Sequence, residues 1–258
     1  MVSIYCINLV ERNDKNKKMK TLFERLNLEV EFYRPNKNKT SGRIGCFESH
    51  INVIKKSITN NDEYVIIFED DIIDTPAYDS SKIDEILMFM KDNTWCEYFQ
   101  LGYTILPHEF SNFILSKKIT KNIIKYNGNC THAYVLSNKG MRNAIENWEK
   151  QAYDNEADLD IYYKDKFQNN GASYCPILFD QNFCLKSDNE TATSSYYSFM
   201  RKLSCDIHKI SFLYFLSLIK SYLFFISFIV LFLILSIVAI YKKNASKKLS
   251  FLRKKRLK

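Results

Sequence analysis

The chain has 258 residues, 46% of them hydrophobic, with a formal net charge of +8. That composition excludes a disordered polymer, and only 6 Gly and 4 Pro exclude a collagen-like or Gly-rich linker architecture. The charge is segregated: after Lys209 there are ten Lys or Arg and no acid, which leaves residues 1–209 at −2 and argues against a nucleic-acid-binding domain.

In chain order, Val2 to Leu9 (VSIYCINL) reads as a buried first strand. Residues 14–26 place Met19, Leu22, Phe23 and Leu26 at helical spacing, with Asp14 as the expected cap. Leu28 to Tyr33 alternates as a strand, and 36–42 is a polar loop. Ile44 to Ile58 carries Ile44, Phe47, Ile51, Ile54 and Ile58 on one helical face. Tyr64 to Phe68 (YVIIF) is the clearest buried strand, and it runs directly into Glu69, Asp70 and Asp71. A helix over 82–90, strands over 97–101 and 132–136, a helix over 138–150 and a last extended segment over 174–179 complete the pattern. Strands alternating with helices predict an α/β fold with a mainly parallel sheet between helix layers. GxGxxG and GxxxxGK[ST] are both absent, so the usual dinucleotide and P-loop readings fall away.

The seven cysteines (Cys6, Cys46, Cys96, Cys130, Cys175, Cys184 and Cys205) form no CxxC pair, which excludes a zinc ribbon and favours reduced thiols. Tyr222 to Tyr241 is a run of twenty residues without a charge. As a helix it would span roughly 30 Å, the thickness of a bilayer core. The expectation is a single-pass membrane protein with three parts. These are a globular domain over 1–205, a hydrophobic segment over 206–241 (span 222–241), and a basic tail over 242–258. The tail favours a cytoplasmic membrane face, yet the N-terminus has no signal-peptide pattern, so the side of the globular domain stays open.

Five constellations carry candidate chemistry. The first is the strand end VIIFEDDI. Adjacent carboxylates repel, so their clustering at the edge where α/β sheets bind ligands points to a cation, with Mg²⁺ or Mn²⁺ suited to hard oxygen ligands. Alternation lets Glu69 and Asp71 converge while Asp70 points away. The second is GRIGCFESH, ending in Ser49 and His50. The third is HAYVLSNKG, the fourth is ADLDIYYKD with Asp158 and Asp160, and the fifth is CPILFDQNFCLKSDNE with Gln181, Ser187 and Asp188. Each taken singly also reads as ordinary surface.

Their order is more specific. IxCINLxxR, GxxxCxxSH, a strand ending EDD, HAYVLSxxG, an aspartate and CPxxxxQ…SD, over residues 2–190, together resemble glycosyltransferase family 25. That family holds lipooligosaccharide and collagen galactosyltransferases. The resemblance implies a GT-A-like fold, a UDP-sugar donor, most often UDP-galactose, and a divalent metal, Mn²⁺ or Mg²⁺. It also implies inverting transfer of a hexose to a glycan, lipid-linked glycan or protein acceptor. It implies Glu69 and Asp71 as metal ligands, and Asn8, Leu9, Arg12, Ser49, His50, Asp70 and Gln181 on the donor. Asp160 is the expected base, with Asp188 as the alternate. The chain departs from the family pattern at Arg43, where an acid is usual, and offers Lys15 or Lys17 for a second Arg. The rival readings are an inactive membrane-anchored relative that binds a glycan or partner, a nucleotidyltransferase, and a membrane protein with a spacer domain.

Overall fold

The computed structural model describes residues 1–182 and Leu233. The chain divides into two units, Met1–Leu218 and Ile219–Lys258, and all described residues but Leu233 fall in the first.

The opening strand β1 (Val2–Ile7) leads into α1 (Asn13–Leu26), β2 (Glu31–Tyr33), α2 (Gly42–Thr59) and β3 (Tyr64–Glu69). A short β4 (Ile72–Asp74), α3 (Ser81–Asp92), β5 (Tyr98–Gln100), α4 (Phe110–Leu115) and β6 (Ile123–Ile124) follow. The described part closes with β7 (Ala133–Ser137), α5 (Asn138–Ile145), α6 (Leu159–Lys166), β8 (Gly171–Tyr174) and β9 (Phe179–Gln181).

The main sheet has the order β2-β1-β3-β7-β5-β8-β6, and β4 pairs antiparallel with β9 in a second, two-stranded sheet. β1 is parallel to β2 and β3, and β5 to β8, whereas β7 runs antiparallel to both β3 and β5 and β6 antiparallel to β8. Five strands thus share one direction, which bears out the mainly parallel α/β expectation and fits a GT-A-like architecture. Alternation gives each strand two buried faces. Ile66 and Phe68 of β3, Ala133 and Val135 of β7 and Phe99 of β5 join Met19, Phe23, Ile86 and Phe89 in one core. Val65 and Ile67, Tyr134 and Leu136, and Tyr98 point the other way and meet Phe47, Ile51, Ile54, Met141 and Phe167. Helices α1 and α3 therefore cover one face and α2, α5 and α6 the other.

Some local expectations need correction. Asp14 does not cap α1: the helix begins one residue earlier, after Arg12, and Asp14 lies in its first turn. There its carboxylate receives the Arg12 guanidinium and is held down at about 2. Side-chain caps form instead at Ser41, whose hydroxyl accepts from the Ile44 amide at the start of α2, and at Ser137, whose hydroxyl accepts from the Gly140 amide at the start of α5. The expected extended segment over 174–179 is instead the connection between two strands, β8 ending at Tyr174 and β9 beginning at Phe179, and Pro176 has no N–H to continue the ladder of β8. The described cysteines Cys6, Cys46 and Cys96 are free thiols, as expected.

The expected single-pass membrane span is also corrected. Among the described residues no helix is long and apolar enough to cross a membrane. Residues 206–241, on which a span and a membrane partner rested, lie outside the described residues apart from Leu233.

Close packing sets one sharp limit. A Cβ built on Gly140 would lie 2.1 Å from the Glu97 carbonyl oxygen, where α5 crosses the start of β5. Backbone cannot yield as a side-chain tip can. Gly140→Ala should therefore cost about 1–3 kcal/mol, read from the urea unfolding midpoint. An unchanged midpoint would show that this crossing is loose.

Candidate active site

The strand order places the site. The chain leaves β1 toward β2 on one side and, after α2, crosses back to β3 on the other. The connections diverge between β1 and β3, and such a switch point opens a crevice at the C-terminal strand ends. Ile7 and Glu69, which face each other in register, both line a cleft of about 270 Å³ there. Around them stand Leu9 and Lys15, the 36–38 loop, Cys46, Ser49 and His50 of α2, and Asp70 and Asp71. Thr131, Asp158, Asp160 and Gln181 complete the wall.

The three consecutive acids have three different partners. Glu69 accepts from Thr131 Oγ1 at 3.0 Å and lies 3.4 Å from His50 Nε2. Burial pushes its carboxyl up, but His50, His132 and Thr131 together hold it below the ordinary range. Asp70 receives Lys15 Nζ at 2.7 Å and Asn8 Nδ2 at 2.8 Å, yet burial still leaves it raised. Asp71 is pushed up to about 7, by burial first and then by Glu69. It takes a 3.3 Å bond from Gln181 Nε2, Lys15 Nζ stands 3.9 Å away, and its Oδ1 is buried with no hydrogen-bond partner. An orphaned carboxylate oxygen beside a second carboxylate fits a hard divalent cation at Glu69 and Asp71. Asp70 is already neutralised by Lys15.

The structure brings most expected residues together. Leu9, Ser49, His50, Glu69, Asp70, Asp71, Asp160 and Gln181 line one cleft. The Ser49 hydroxyl is turned back to the Gly45 carbonyl at 2.5 Å. Asn8 stands behind the wall and orients Asp70. Arg12 is not on the wall; it grips Asp14 at 3.0 Å. Asp188 and Ser187 lie outside the described residues. Asp160, in the first turn of α6, has its carboxyl raised chiefly by burial, which makes it the stronger base. Lys15 was expected only as a stand-in for an arginine, and nothing in the polar run DKNKK marks it as buried. Arg43, the departure from the family pattern, donates to the Ala157 carbonyl at 2.6 Å and so ties α2 to the segment before α6.

Asp180, next to Gln181 on β9, is pushed up to about 7 by burial, and its Oδ2 has no hydrogen-bond partner. A carboxyl raised in the folded chain holds a proton there that the unfolded chain has already lost. It therefore subtracts stability as pH climbs from the ordinary carboxylate value to about 7, and the loss levels off above that. Asp180→Asn should flatten that part of the stability–pH curve, measured by urea midpoints. An identical slope in the variant would contradict the assignment.

The comparisons agree with this geometry. The family model described as "Glycosyltransferase family 25 (LPS biosynthesis protein)" matches residues 33–167, from β2 to just past α6. A "Glycosyltransferase 25 family member" of Aedes aegypti is 31% identical, with 29% of this chain and 17% of that protein aligned. The chain thus spans less than a fifth of that relative's length. A crystal structure of a glycosyltransferase involved in the glycosylation of the major capsid of PBCV-1 overlays with a TM-score of 0.46 at 10% identity, over 78% of this chain and 98% of that one. Apo UDP-glucose pyrophosphorylase overlays at 0.38 and 8%, over 69% and 74%. Those scores are too low to carry fold or function. The family model covers more than half of the chain, including α2, the acidic strand end and the Asp160 helix, and on that match the chain belongs to glycosyltransferase family 25.

Proposed function

We propose that this chain transfers a hexose, galactose first among candidates, from a UDP-sugar to an acceptor hydroxyl with inversion. The observation that carries this reading is the convergence of Glu69, Asp71 and Asp160, from β3, its following turn and α6, on one cleft at the switch point. The acceptor is a glycan, free, lipid-linked or on a protein.

Inversion needs one displacement. The acceptor oxygen bonds to the anomeric carbon on the face opposite UDP, the carbon–oxygen bond to the diphosphate breaks, and the acceptor proton passes to a carboxylate. Asp160 takes that proton, with a basicity raised by its burial. Glu69 and Asp71 would hold Mn²⁺ or Mg²⁺, which when bound supplies charge neutralisation for the leaving diphosphate. Lys37 and Arg43 on the cleft wall add positive charge toward the same group. Asp70 is fixed by Lys15 and Asn8, so its part is to anchor Lys15 beside the ligand site.

The test is UDP release by the full chain from UDP-galactose, UDP-glucose and UDP-N-acetylglucosamine, with and without Mn²⁺ and with a glycan acceptor. The expected result is metal-dependent release from one donor. Asp160→Asn should lower kcat by about 10²–10⁴ with KM for the donor little changed. Full turnover in that variant removes Asp160 as the base. Failure of the folded chain to bind any UDP-sugar favours an inactive glycan-binding relative instead.

A further inference from the structure

The cleft contains a second donor set, different in chemistry from its carboxylates. Cys46 and His50 are one helical turn apart on α2, and so share a face. That face meets the end of β3. The Cys46 Sγ, a His50 ring nitrogen and a Glu69 oxygen all lie within 4.8 Å of one another. All three residues line the cleft, and His50 is 1% exposed.

We propose that Cys46, His50 and Glu69 form a three-ligand site for a borderline transition-metal ion, Zn²⁺ foremost, with its fourth position open to the cleft. Three protein ligands and one free position are the pattern of an open zinc site. Bond lengths of about 2.0–2.3 Å put tetrahedral ligand atoms roughly 3.3–3.6 Å apart. His50 Nε2 and Glu69 Oε1 already stand at 3.4 Å.

The surrounding groups are those a metal ligand needs. His50 Nδ1 is 2.8 Å from the Tyr134 hydroxyl, and the two rings stack at 5.7 Å. Binding the ion takes the tautomer with the proton on Nδ1, donated to that oxygen, which frees the Nε2 lone pair, otherwise protonated toward Glu69, for the metal. Thr131 Oγ1 orients the Glu69 carboxylate at 3.0 Å. A thiolate and an imidazole select Zn²⁺ over Mg²⁺ or Mn²⁺, so this site is distinct from the Glu69 and Asp71 pair, although it shares one carboxylate with it. Binding replaces the Cys46 S–H bond by a metal–sulfur bond and releases the proton to solvent. The site does not depend on the transferase reading, because it is tested by ligation and not by turnover.

The full chain is titrated with Co²⁺, a spectroscopic substitute for Zn²⁺. The expected result is a near-ultraviolet sulfur-to-cobalt charge-transfer band that is lost in Cys46→Ser, with Co²⁺ affinity at least about tenfold weaker. Tyr134→Phe should keep the band but weaken affinity by about 10–100-fold, since only the orienting hydrogen bond is lost. No band in the unaltered chain, or a band that survives Cys46→Ser, overturns the proposal. X-ray absorption at the zinc edge of the unaltered Zn²⁺-loaded chain needs no variant. One sulfur among nitrogen and oxygen neighbours supports the site, and a shell without sulfur overturns it.

Discussion

The ion pair between Lys15 and Asp70 is the constraint on which the cleft depends. Three consecutive carboxylates at the end of a buried strand would repel one another strongly if all were ionised and unpaired. The chain meets this by bringing a lysine of α1, with its side chain 3% exposed, to within 2.7 Å of the middle acid. Asn8 supplies a second donor to the same carboxylate. Removing one partner of such a buried pair is costly because the other charge is left uncompensated. With Asp70 settled, Glu69 and Asp71 are left facing the cleft, one held by His50 and Thr131, the other with an oxygen still unbonded.

Topology explains why these groups meet. Right-handed crossovers put α1 on one face of the sheet and α2 on the other, because the first goes to β2 and the second returns past β1 to β3. Lys15 therefore approaches the acids from one side and His50 from the other. The antiparallel β7 beside β3 adds Thr131 and His132, which immediately precede it, and brings the Glu69 amide onto the His132 carbonyl at 2.9 Å. The small β4 and β9 sheet fastens the following turn and carries Gln181 to Asp71. Sequence positions 15, 50, 69, 131, 160 and 181 become one wall only through this order.

Much of this was legible in the residues, and the reasons are specific. YVIIF is apolar on both faces, so it could only be a strand buried on both sides, and its EDD terminus had to lie at the sheet edge. Met19, Leu22, Phe23 and Leu26 fixed α1 in the same way. Strand direction was not legible: HAYVL looks the same parallel or antiparallel, and β7 proved to be antiparallel to its neighbours. Nor was Lys15, since a lysine among lysines reads as solvated until its neighbours in space are known. Arg12 followed the opening motif but was claimed by Asp14, two residues away. α6 was hidden by a Tyr-rich stretch with little apolar stripe, so Asp160 was found by its motif and not by its helix. The apolar run at 222–241 and the Asp188 element lie outside the described residues.

The most direct test of this account is the cost of Lys15→Met as a function of pH. If Lys15 serves as the counter-ion of Asp70, the variant should lose about 3–5 kcal/mol of stability at pH 8. The loss should shrink as pH falls and Asp70 takes up a proton, since a neutral carboxyl needs no counter-ion. Urea unfolding of both chains between pH 4 and pH 8 measures it. A loss of the same size at every pH would mean that Lys15 only fills space, and that the acidic cluster is not built around its charge.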